Sequence, residues 1–163
     1  MKELIFYVLG EVNYLAVFIA AVANFFLGAL WYSPVMFAKT WSKLNFGDMD
    51  MEEVKKKAHM GYVMGMAFVT TFLTAYVLSI PIVMLEVMEF KLPVIVMFTL
   101  FITGGFMVIN MYKHSLFEMK SFKLVLINAG HDLAVMVLMA VIIASMQNPD
   151  VDKLKEILMN RLS

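Results

Sequence analysis

Residues 12–38, 60–85 and 92–112 contain no Asp, Glu, Lys or Arg, and residues 124–149 contain only one, Asp132. A helix that crosses ~30 Å of hydrocarbon at 1.5 Å per residue needs about 20 apolar residues. All four stretches are long enough. A soluble bundle would need a polar face on each helix, and these runs supply none. The overall composition agrees. The chain is 62% hydrophobic and 16% charged, where soluble domains average about 45–50% and 25%. The expected fold is all-α: a single membrane domain over residues 1–163, an integral four-helix bundle surrounded by the lipid bilayer. Its spans fall at about 12–32, 60–80, 92–112 and 124–147.

Local signals place the ends of the spans. The Ser33-Pro34 pair closes the first, because the residue before proline is pushed out of the α region. Pro81 is expected to end or kink the second. Pro93 opens the third, where its missing N–H is tolerated. Trp31, Tyr32 and Trp41 fit an interfacial aromatic belt. The N-terminus lacks the basic flank and small-residue cleavage site of a signal peptide. Residues 4–9 read as an interfacial lead-in or as an extension of the first helix. Asp50 and Glu53 fit a capping box, so the second helix is expected to begin near Met51 and run straight into the membrane. Val151, Leu154, Leu158 and Leu162 recur at helical spacing, which predicts an amphipathic tail over residues 150–162.

Eight Lys residues flank the 1–2 and 3–4 connections, against five Lys and Arg on the other side. The positive-inside rule then puts both termini outside the inner membrane of the cell. At an offset of 80, Tyr32 matches Tyr112, Phe37 matches Phe117, and Lys43-Leu44 matches Lys123-Leu124. A duplication would make the bundle two tandem helical hairpins; a chance match in so biased a composition is the alternative.

Several function classes are excluded. Lys and Arg balance Asp and Glu at 13 each, so no basic field awaits a nucleic acid. With no Cys, disulfides, thiolate metal sites and a cysteine nucleophile are ruled out. No phosphate-binding glycine loop, Gly-x-Ser-x-Gly or His-Glu-x-x-His occurs, and no enzyme activity is indicated. His59, His114 and His131 lack the close spacing of metal ligands. No metal and no cofactor is expected.

The polar residues inside the spans carry the remaining information. Asn13, Ala20, Asn24 and Trp31 fall on one line of the first helix, and Ala16, Ala20, Asn24 and Gly28 recur every four residues. Small residues at that spacing allow close helix packing, with asparagine bonding across the contact. Gly61 and Gly65 give the second span a similar face. In the last span Asn128, His131 and Asp132 sit at i, i+3 and i+4, on one face. An ionised aspartate at mid-membrane costs about 2.5–3.5 kcal/mol on insertion scales, so Asp132 must face the bundle and needs a partner or a proton. His131 is excluded as that partner by its direction, about 100° around the helix. Asn24, a threonine of the second span, or Lys113 is expected instead.

Asn13-Tyr14-Leu15-Ala16-Val17, then Gly28-Ala29-Leu30-Trp31-Tyr32-Ser33-Pro34, Phe37 and Trp41, resemble the prokaryotic integral membrane family known as domain of unknown function 1761. Leu126-Ile127-Asn128-Ala129-Gly130 resembles it too, and the likeness runs over about residues 13–145. It implies a four-helix membrane protein without an assigned activity and without catalytic residues to carry over. The His131-Asp132 pair departs from the family's pattern.

Two readings follow. One is a small transport or permeation component with a polar intramembrane site at Asn128, His131, Asp132 and Asn24. The other is a structural or interaction subunit whose polar residues only fasten helices. An intramembrane metal-binding protein or enzyme comes third. A homo-oligomer or a larger membrane complex is expected, because four helices enclose little space.

Overall fold

The computed structural model describes residues 2–49, 51–57, 59–150 and 152–153. Helices form where the apolar runs predict them. A short helix α1 (Lys2–Gly10) leads into α2 (Tyr14–Trp31), and α3 (Ala38–Phe46) and α4 (Met51–Lys57) form the first connection. Helix α5 (Met60–Val87) returns. The third span comprises α6 (Leu92–Ile102), a π-helical turn at Thr103–Val108 and α7 (Ile109–Phe117), and α8 (Phe122–Met146) is the fourth. Four of these segments are long and apolar enough to cross a membrane: Tyr14–Trp31, Met60–Val87, Leu92–Phe117 and Phe122–Met146. The chain is an all-α, multi-pass membrane four-helix bundle.

Helix α8 is the centre, packed against α2, α5 and α6, while α2 also packs on α5. Ala16, Val17, Ala20, Ala75, Ile82 and Ile143 are completely enclosed. The alanines let the α2 backbone approach its neighbours, as the small-residue spacing predicted. Asn13 caps α2, accepting the Ala16 N–H at 3.0 Å, which contributes about 1 kcal/mol. Its amide nitrogen donates to the Met146 carbonyl at 2.8 Å, and its backbone N–H donates to Gln147 Oε1 at 3.2 Å. The start of α2 is thereby tied to the end of α8. Ser121 caps α8 by accepting the Leu124 N–H.

Two local expectations are corrected, and two element boundaries are settled. Pro81 does not end the second helix, which continues to Val87; neighbouring helices tolerate proline within a span. The second helix does not run straight in from Met51. It breaks at His59, whose φ of 46° is left-handed, and restarts at Met60. Of the two readings of residues 4–9, the structure has a separate lead-in helix, α1, rather than an extension of the first span, and its Tyr7 and Val8 are buried. The helix of the third span continues past Tyr112 to Phe117. Asp50 and most of the predicted tail, including Val151, Leu154, Leu158 and Leu162, lie outside the described residues.

Candidate functional site

The site forms where the end of α2 meets the first half of α8. Tyr32 caps α2, and the Ser33-Pro34 turn folds the chain back. The Met36 and Ala38 N–H groups donate to the Ser33 carbonyl at 3.0 and 3.1 Å. This turn lays α3 on α8. Trp31, Tyr32 and Trp41 do more than line an interface. Trp31 Nε1 donates to the Ile127 carbonyl at 3.1 Å. Tyr32 OH and Trp41 Nε1 both donate to Asn128 Oδ1, at 3.2 and 3.1 Å. Phe37 packs on Trp31 with centroids 5.0 Å apart. The aromatic segment therefore grips α8 through Asn128. Gly130 makes that grip possible, because a Cβ there would lie 3.1 Å from Trp31 Cζ2.

One turn further along α8, His131 Nδ1 lies 3.1 Å from Asp132 Oδ1. This corrects the expectation that His131 is not Asp132's partner. Neighbouring Cβ atoms do diverge by about 100°, but the imidazole bends back along the helix far enough to reach the carboxylate. Asp132 is the tenth residue after Phe122, about 15 Å along the helix. With the carboxylate as acceptor, the bond uses the Nδ1 proton and leaves Nε2 with its lone pair. Nε2 is buried without a protein partner and lies 3.4 Å from where a Gly28 Cβ would stand. Tyr32 also covers the imidazole, with ring centroids 5.0 Å apart.

Asn24 is in the same site. Its Nδ2 donates to Thr71 Oγ1 at 3.0 Å, joining α2 to α5. Two cavities share Asn24, Thr71 and His131 as walls. One, of about 210 Å³, adds Asp132, Thr70, Thr74 and Met107. The other, of about 440 Å³, opens between α2 and α5 beside Gly28 and Tyr32. A third cavity of about 220 Å³ lies at the α7–α8 turn and includes Asn45, His114, Glu118 and Lys120. Asn128 lines it as well, so the Trp41–Asn128–Tyr32 group stands between it and His131.

The structure brings together Asn24, Asn128, His131, Asp132 and the aromatic motif. Ala16 and Ala20 pack in the core, and Gly28 packs on His131. Gly61 and Gly65 do not pack within the chain: no atom lies within 4 Å of a Cβ at either position. Spacing alone overstated them, since they lie on the exposed side of α5. Among the described residues no three His, Asp or Glu side chains gather to hold a metal.

The sequence reading missed Thr70, Thr74 and Met107. The threonines lie on one side of α5 near Thr71. Met107 reaches the cavity from the π-helical turn. The signal for that turn was Gly104-Gly105, since each mid-helix glycine weakens the α-helix by about 1 kcal/mol, and π-turns recur at functional sites.

No curated protein and no solved structure matches the chain. A family model described as "Protein of unknown function (DUF1761)" matches residues 15–144, a segment that holds the aromatic motif, Asn24 and the polar face of α8. The chain belongs to this family of proteins of unknown function.

Proposed function

We propose that the protein is a small transport or permeation component that handles a proton or a small cation at Asn24, Thr71, His131 and Asp132. The observation that carries this reading is the His131–Asp132 pair. A carboxylate orients the imidazole, and the opposite nitrogen, Nε2, is buried at a cavity wall without a protein partner. Leaving such an atom unpaired costs about 1–3 kcal/mol. A site built only to fasten helices would use it. We place the protein in the inner membrane of a prokaryotic cell with both termini outside, so that the aromatic motif lies toward the cytoplasm. We also propose a homo-oligomer or a larger membrane complex as the working form. The test is cation-linked proton flux in proteoliposomes, read with a pH-sensitive dye. The parent should exceed protein-free vesicles, and Asp132→Asn should lose that excess. Parent flux equal to empty vesicles, or flux unchanged in Asp132→Asn, overturns the proposal.

A second reading, an interaction or scaffold subunit, is supported by Asn128. Its carbonyl oxygen accepts both aromatic donors, a fastening role that needs no solute.

A further inference from the structure

The wall of the cavity of about 210 Å³ is rich in hydrogen-bond acceptors. Thr70 Oγ1 donates to the Met66 and Ala67 carbonyls, both at 3.0 Å, and Thr74 Oγ1 donates to the Thr70 carbonyl at 2.9 Å. Their hydroxyl protons are committed to the helix backbone, so each turns only lone pairs outward. Asn24 gives one amide proton to Thr71 and keeps its carbonyl oxygen as an acceptor; its second amide proton and the Thr71 hydroxyl proton are the donors these two residues add to the wall. Asp132 adds a carboxylate whose second oxygen is not used by His131. No Lys or Arg lines the cavity. Such a wall offers more acceptors than donors, with a carboxylate among them, and it fits a cation rich in N–H donors.

A second cavity adjoins this one. A groove of about 490 Å³ between α5 and α6 is lined by apolar side chains such as Leu73, Val77, Pro81, Phe98 and Ile102. Thr74, Met107 and Met136 form walls of both cavities. The groove's volume is in the range of small-molecule sites, ~300–1,000 Å³. Val77 is 62% exposed, so the groove's outer rim faces the lipid. An acceptor-rich cavity thus shares a wall with an apolar groove that is open at the side of the bundle.

We infer that the ligand is an amphiphilic primary amine. Its ammonium head meets Asp132 and the threonine oxygens, and its alkyl tail lies in the α5–α6 groove, reached laterally from the bilayer. This deepens the transport reading by naming a substrate class for the same site. The head is selected by charge complementarity and by donor count: an ammonium offers three donors to a wall of acceptors. The tail gains little in passing from lipid to groove, because acyl chains are as apolar as leucine. Its part is to bring the head to the depth of Asp132.

The test is saturable binding of radiolabelled decylammonium to the protein in nanodiscs, corrected with protein-free nanodiscs. Competition should strengthen from methylammonium through hexylammonium to decylammonium. Decanol, which has the tail without the charge, should compete at least about tenfold more weakly. Asp132→Asn should lower decylammonium affinity at least about tenfold. Val77→Trp, at the rim of the groove, should weaken decylammonium about tenfold more than methylammonium. Uptake no greater than in empty nanodiscs, decanol competing as well as decylammonium, or sodium ion displacing it at equal concentration overturns the inference. The chain-length series on the parent needs no variant to fold. Saturable amine binding in a protein that passes no flux in proteoliposomes would overturn the transport reading and leave this one standing. Flux without amine binding would do the reverse.

Discussion

Replacing Gly130 with alanine, with Gly65→Ala as its control, isolates the contact between α8 and the aromatic segment. Both changes remove a helical glycine, which by propensity alone gains about 0.8–1 kcal/mol. At Gly65 nothing lies within 4 Å of the new methyl, so that gain should appear almost whole. At Gly130 the methyl meets Trp31 Cζ2 at 3.1 Å and Cη2 at 3.4 Å. The indole cannot simply swing away. Its Nε1 is bonded to the Ile127 carbonyl, and Phe37 packs against it. Overpacking a close contact costs about 1–3 kcal/mol. Gly130→Ala should therefore range from nearly neutral to about 2 kcal/mol destabilising, which places it about 1–3 kcal/mol below Gly65→Ala. Unfolding in mixed micelles, followed by tryptophan emission, measures both. The chain has two tryptophans, Trp31 and Trp41, and both sit in the site, so the signal reports on it directly. Gly130→Ala as stabilising as Gly65→Ala, with unchanged emission, would refute the close contact.

Three further outcomes are expected. Asn128→Leu removes the acceptor of Tyr32 and Trp41; at about 0.6 kcal/mol per interhelical bond, and up to about 1.7, it should cost about 1–3 kcal/mol and shift Trp41 emission to the red. Gly28→Leu drives a side chain into the space beside His131 Nε2 and should lower the thermal midpoint through about 1–3 kcal/mol of overpacking; an unchanged midpoint would show that α2 does not approach α8 there. For orientation, a membrane-impermeant thiol reagent added outside should label Glu89→Cys and spare Lys56→Cys, and the opposite pattern would put the termini inside.

The sequence made the spans legible because an uncharged run of more than 20 residues has few stable places outside a membrane. Their ends were less clear, because they depend on backbone details that side-chain hydropathy does not encode. Pro81 left a stop and a kink open, and α5 passes through it to Val87. The turn at His59 depends on a left-handed φ at a residue that carries no glycine signal. In the site, the i, i+3, i+4 spacing of Asn128, His131 and Asp132 was legible as a polar group on α8. Which groups they bond was not legible, since Trp41 reaches Asn128 from 87 residues away. The His131–Asp132 bond was rejected by reasoning from Cβ directions alone, which ignores the reach of a flexible imidazole arm. Gly61 and Gly65 show the converse: small-residue spacing marks a face on which helices can pack closely and does not say that one does.

Whether a solute reaches the cavity beside Asp132 separates a transport site from a set of fastenings. The chain contains no cysteine, so one introduced thiol can be read without background. Thr71→Cys places it on the wall shared by both polar cavities, and Val69→Cys, at a position 49% exposed on the same helix, serves as the control away from them. The reagent is an aminoethyl methanethiosulfonate, a small ammonium that reacts in water, applied to the protein in lipid nanodiscs. Thr71→Cys is expected to react, Val69→Cys to stay inert, and decylammonium to protect the first. An inert Thr71→Cys in a folded protein would mean a dry cavity, and the polar residues of α2, α5 and α8 would then serve only to hold the helices together.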